Sequence, residues 1–209
     1  MLKRISPFMN RLFWALLVPG VHIFYFIERE PRNQTYNFKL AIDDLIPFNN
    51  FFIIPYVFWY FFQAWALILF ASVRPKRYFQ LLFSLVSGTL ICDLIFYFLP
   101  SIVIRPVVQG HGFLDEMVRN FYLWDYPSNC FPSIHVLYTV LIALFIYASF
   151  QDKAIRIFTI VCAVMISIST LFVKQHYLLD VLAGTFLAIG LFFFFTNERV
   201  WTRIFPWKL

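Results

Sequence analysis

Six stretches of this chain are too apolar and too long to be anything but helices in hydrocarbon. They fall near residues 12–27, 52–72, 79–99, 133–150, 155–172 and 177–195. A hydrocarbon core of ~30 Å takes about 20 predominantly apolar residues per crossing. The expected fold class is therefore all-α: a polytopic membrane protein, a six-transmembrane-helix bundle with both termini cytoplasmic. Composition agrees, with 61% hydrophobic residues, 13% charged residues and 29 phenylalanines in 209 residues, far outside the range of soluble domains. The first stretch is short and follows Lys3, Arg4 and Arg11, as in a signal peptide. It runs into HIFYFIERE, which holds no small-residue cleavage site, and reads as a retained helix.

The net charge is +6, but the basic residues lie between the spans and form no patch that would follow a phosphate backbone, so a nucleic-acid partner is not expected. With the N-terminus in the cytoplasm, Lys3, Arg4, Arg11, Arg74, Lys76, Arg77, Lys153, Arg156, Arg199, Arg203 and Lys208 are cytoplasmic, eleven of the seventeen Lys and Arg residues. That is the positive-inside pattern. The outer side keeps Arg29, Arg32, Lys39, Arg105, Arg119 and Lys174.

Cys92 and Cys162 fall within spans and Cys130 just before one, which gives no disulfide framework. An Asn-Gln-Thr sequon at Asn33 lies on the outer side. Segment 37–51, NFKLAIDDLIPFNNF, reads as loop or as a stretch lying flat on the outer surface, and the tail RVWTRIFPWKL as an interfacial anchor. No repeat, low-complexity tract or linker divides residues 1–209, so a single domain is expected. Oligomeric state is not addressed by the sequence.

An ionisable group in or beside the membrane calls for a partner or a task. Three distant segments place such groups at one face: PSIVIRP with Arg105, NCFPSIHV with Ser133 and His135, and KQHYLLD with Lys174, His176 and Asp180. His176 and Asp180 are four apart, hence on one face of a helix and about 6 Å apart along its axis. A carboxylate there holds one ring nitrogen and leaves the other free to attack an electrophile. The pair reads equally as an interfacial histidine beside a structural aspartate. Pro132 and Ser133 suit a helix start, where unpaired N–H groups attract anions, and His135 lies two residues inside it. Arg105 offers a planar fork to phosphate oxygens or is simply solvated. Taken together, two histidines, a carboxylate, an arginine, a lysine and a helix N-terminus make a metal-free set for phosphoryl transfer: His176 attacks, His135 protonates the leaving alkoxide, then acts as base for water or an alcohol.

These segments resemble the type 2 phosphatidic acid phosphatase superfamily of membrane lipid phosphatases and phosphotransferases, with motifs K-x-x-x-x-x-x-R-P, P-S-G-H and S-R-x-x-x-x-x-H-x-x-x-D. The resemblance spans residues 98 to 184 and implies the six-helix architecture. It implies His176 as nucleophile, Asp180 as its orienting carboxylate, His135 as acid and base, and Arg105 and Ser133 as phosphate ligands, with no metal and no cofactor. Phe98 stands in place of the first lysine, Ile134 in place of the glycine, and Thr170 in place of the third motif's arginine. Lys174 is the candidate to restore that charge. Pro-Ser-apolar-His followed by His-Tyr-x-x-Asp resembles the branch containing inositol phosphorylceramide synthases, some of which pass a phosphoryl headgroup to an alcohol. Asp125 and Asn129 in WDYPSNCFPS are candidates for shaping the headgroup pocket or are ordinary polar loop residues.

The expected activity is hydrolysis of a lipid phosphate or diphosphate at the outer face of the cell membrane through a phosphohistidine, with headgroup transfer as the alternative. Phosphatidic acid, phosphatidylglycerol phosphate and polyprenyl diphosphate are not distinguished. A serine hydrolase built on Ser133 lacks the glycine-flanked turn that such a nucleophile needs. A metal site from His111, His135, His176 and Asp180 lacks short ligand spacing. A transporter would carry polar groups at mid-span, where only Asp93 qualifies.

Overall fold

The computed structural model describes residues 6–28 and 35–205. Lys3, Arg4, Arg29, Arg32, the Asn33 sequon and Lys208 lie outside them. The helices in chain order are α1 (Pro7–Trp14), α2 (Leu17–Glu28), α3 (Ile53–Val73), α4 (Pro75–Phe98), α5 (Phe113–Trp124), α6 (Ile134–Ser149), α7 (Lys153–Phe172), α8 (Leu178–Thr196) and α9 (Glu198–Ile204). Among the described residues no strand forms; two single β-bridges join Tyr36 to Ser101 and Ile102 to Ser128.

Among the described residues, four helices are long and apolar enough to cross a membrane: α3, extended at its start by the 3-10 turn Asn50–Phe52, then α4, α7 and α8. The shorter α6 has 16 residues, about 24 Å at 1.5 Å per residue. Helix starts coincide with chemistry visible in the sequence: Pro75 is the first residue of α4, the Asp152 carboxylate caps α7 through Ile155 N at 2.9 Å, and the Ser133 hydroxyl caps α6 through Val136 N. Helices α4 and α6 are central, α4 packing on α2, α3, α6 and α8, and α6 on α3, α7 and α8 as well. Phe62, Phe70, Leu81, Leu85, Leu137, Leu141 and Phe145 fill the space between them.

The structure departs from the sequence reading at both ends. Run 12–27 is two helices rather than one, with the break at Ala15 and Leu16. Pro19 explains it: having no N–H, it cannot donate to the Ala15 carbonyl four residues back. That carbonyl instead accepts from Val18 N at 3.0 Å. The 12 residues of α2 span about 18 Å. In the tail, Trp201 is not an interfacial anchor but a core residue, 4% exposed, with its ring 4.4 Å from that of Phe205. Helix α5 has no counterpart in the sequence reading. Leu114, Met117, Val118, Phe121 and Tyr122 share one face of it and pack with Ile53, Tyr56 and Val173 over the ends of α3 and α7.

Candidate active site

Helix α8 begins where two carboxylates meet its free N–H groups. Tyr177 is the N-cap and Asp180 folds back, its Oδ2 accepting from Tyr177 N at 2.8 Å and lying 3.3 Å from His176 Nδ1. His176 therefore stands outside the helix, one residue before the cap. The spacing of four does bring imidazole and carboxylate together, but through the capping turn rather than along a helix face. Asp43, from segment 37–51, supplies the second carboxylate: its Oδ1 accepts from Leu178 N at 2.8 Å. Negative groups at a helix N-terminus are favourable on dipole grounds as well.

The turn carrying His176 is held on several sides. Thr170 O accepts from Gln175 N at 2.9 Å and from His176 N at 3.1 Å. Lys174 has a left-handed backbone, φ 52°, unusual for a lysine. Its Nζ donates to the carbonyls of Asp43, at 3.1 Å, and Ile46. Burial lowers the Lys174 pKa, and the Asp43 and Asp44 carboxylates oppose that shift. The structure thus assigns Lys174 to pinning segment 37–51 and does not bring it to the cavity described below. Lys174, expected at the phosphate, has its ammonium on these two carbonyls.

The start of α6 meets this turn at close range. Ser133 N donates to Asp180 O at 3.1 Å. Gly184 makes the approach feasible: a Cβ there would lie 2.6 Å from the Ser133 carbonyl oxygen. Gly184→Ala is expected to lower the unfolding midpoint, costing about 1–3 kcal/mol as an overpacked contact against backbone. Thermal unfolding in detergent measures it. Ser133 is fully buried, and its hydroxyl serves the α6 cap. Ser133, which the resemblance implies as a phosphate ligand, has its hydroxyl at the α6 N-terminus, accepting from Val136 N at 3.4 Å.

His135 faces His176, with ring centroids 5.9 Å apart. Its ring lies between Tyr56, 4.6 Å away, and Trp59, 4.3 Å away. His135 Nε2 is shielded and has no hydrogen-bond partner among the described residues. Such an orphaned group costs about 1–3 kcal/mol until something satisfies it.

Arg105 reaches the same place from loop 99–112. Ser101 anchors that loop beneath α6, its hydroxyl accepting from Cys130 N at 2.8 Å and Phe131 N at 2.9 Å. Asn129, in the left-handed region at φ 57°, donates its N–H to Ser101 O at 2.8 Å. The Arg105 guanidinium lies over the Tyr122 ring at 4.6 Å and donates to the carbonyls of Asp125, at 2.6 Å, Tyr126, at 3.1 Å, and to Gln175 Oε1. These acceptors are neutral, so the guanidinium charge is held in place without being cancelled by them. Burial pushes the Tyr122 phenol up to about 12, with Arg105 opposing. Burial likewise raises the Cys130 thiol, which stays protonated at neutral pH. Asp125 has its own partners: its carboxylate accepts from Tyr56 OH at 3.1 Å and from Tyr25 OH.

These groups open on one cavity of about 730 Å³. One end is polar, lined by Arg105, Asp125, Asn129, His135, Gln175 and His176; the other is lined by Ala15, Val18, Pro19, Ala64 and Leu67. Asp180 and Ser133 stand behind the polar end. Gln175, His22, Tyr25, Tyr56 and Trp59 were not singled out in the sequence. Gln175 sat unread in KQHYLLD between two residues that were, while Tyr56 and Trp59 are indistinguishable there from the other aromatics of the second run. Among the described residues, no group of three or more His, Cys, Asp or Glu side chains is arranged to hold a metal ion.

Fold and site together define a helical membrane protein with a histidine- and arginine-lined chamber at the ends of its helices. Residues 48–194 match the PAP2 superfamily, and the chain belongs to it. Members of that superfamily are phosphatases or phosphotransferases. The chain is also 31% identical over 107 residues to an uncharacterized protein of Methanocaldococcus jannaschii, a stretch covering 50% of this chain and 41% of the relative. The chain thus spans less than half the length of that relative. No solved structure matches the chain.

Proposed function

We propose that the protein is a lipid phosphate phosphatase, a six-span enzyme with cytoplasmic termini whose chamber opens at the outer face of the cell membrane. The observation carrying this reading is the pair of imidazoles 5.9 Å apart at the polar end of the cavity, one held by Asp180 and the other with an orphaned Nε2. Arg105 draws the phosphate in. Asp180 engages Nδ1 of His176, so Nε2 attacks phosphorus and the imidazolium that forms is stabilised by the carboxylate. His135 donates a proton from Nε2 to the departing alkoxide, then removes one from the water that releases phosphate from His176.

Asp125 supports a second reading, transfer of a phosphoryl headgroup to an alcohol, as in inositol phosphorylceramide synthases. A carboxylate repels phosphate but accepts hydrogen bonds from hydroxyls, and this one lines the chamber. Purified protein incubated with phosphatidic acid, phosphatidylglycerol phosphate and polyprenyl diphosphate, with and without polyol acceptors, separates the two. Free phosphate marks the phosphatase and a new phosphodiester the transferase; neither product sinks both. Because Arg105 and the imidazolium groups carry the charge stabilisation in this reading, EDTA is expected to leave turnover within about twofold of its untreated rate. Inhibition by chelator that zinc reverses would replace this mechanism with a metal-assisted one.

A further inference from the structure

The apolar end of the cavity has a wall that the superfamily match does not include. Ala15, Val18 and Pro19 come from the α1–α2 segment, which precedes residues 48–194. The facing wall is α3, with Tyr60, Ala64 and Leu67. Helix α2 packs along α4 rather than α3, and the cavity fills the space left between them. That space is open to the side: Pro19, Tyr60 and Ala64 line the cavity and are exposed as well. Its polar side chains, His22, Tyr25, Tyr60 and Gln63, stand among aliphatic and aromatic ones.

Depth is set by α3. Tyr56 stacks on His135 at the polar end and Leu67 lies eleven residues further along the helix, about 16 Å at 1.5 Å per residue. This is roughly half of a ~30 Å hydrocarbon core, the depth of a single leaflet. We infer that the gap between α2 and α3 is a lateral portal and chain-binding groove, taking one aliphatic chain of a lipid phosphate from the bilayer while its phosphate reaches His176. This deepens the proposed function and rests on it. The break that Pro19 imposes between α1 and α2 is what shapes the groove's far end.

Two measurements test the groove. Ala64→Trp places an indole in it at an exposed helix position. The ratio of kcat/KM for hexadecyl phosphate to that for hexyl phosphate is expected to fall at least tenfold relative to wild type; an unchanged ratio overturns the groove. Separately, a hexadecyl phosphate carrying a photoreactive diazirine near its chain end is expected to label residues 15–19 or 60–67, and labelling confined to α7 and α8 overturns it. Labelling does not require turnover. A protein labelled there that releases no phosphate keeps the groove and loses the enzymatic reading, and active protein labelled elsewhere does the reverse.

Discussion

His176→Ala is expected to reduce phosphate release by about 10³-fold or more, equivalent to about 4 kcal/mol of transition-state stabilisation, with the protein still folded and inserted. Both halves follow from the geometry. Asp180 retains its bond from Tyr177 N when the imidazole is gone, so the α8 cap survives. Asp43 continues to hold Leu178 N. Ser133 N still meets Asp180 O, so the α6–α8 contact does not depend on the ring. Only the attacking nitrogen is lost. Rate measurements on detergent-purified protein, paired with thermal unfolding, check this; a variant within tenfold of wild type removes His176 from the nucleophile's role.

His135→Phe is expected to lose about 10²- to 10⁴-fold, the usual contribution of a general acid and base, and to leave stability unchanged or raised. Phenylalanine keeps a ring between Tyr56 and Trp59 while deleting the orphaned Nε2. The loss should depend on the leaving group. An alkyl phosphate needs a proton on its departing oxygen, whereas an aryl phosphate with an acidic phenol needs little help. The defect in forming the phosphoenzyme is therefore expected to be large for hexadecyl phosphate and small for p-nitrophenyl phosphate, read as the burst of released alcohol or phenol. Equal defects on both would assign His135 to packing alone.

Hydropathy made α3, α6, α7 and α8 legible to within two residues, whereas α4 starts at Pro75, four residues before the apolar run at 79–99, because its first turn carries Lys76 and Arg77. It failed where a single residue outweighs the run: Pro19 splits the first helix, though every neighbour is apolar. Helix α5 escaped because its apolar residues follow a short amphipathic period that a search for continuous spans passes over. At the candidate site, spacing indicated that His176 and Asp180 meet and that His135 and Arg105 share their face. It could not indicate that Lys174 turns to the Asp43 and Ile46 carbonyls, because that depends on the left-handed turn ending α7 and on where segment 37–51 lies. Nor could it identify Asp43 as a cap for α8, a bond between residues 135 apart in sequence. Such long-range partners leave no local pattern.

The central claim is a covalent bond between phosphorus and the ring of His176. Rapid quenching of the enzyme with a phosphorus-32-labelled lipid phosphate, followed by peptide mapping, tests it most directly. The expected result is label that is stable in alkali, lost in acid, and confined to the peptide containing His176. Label on another residue, or steady turnover with no labelled protein at any time point, would contradict it.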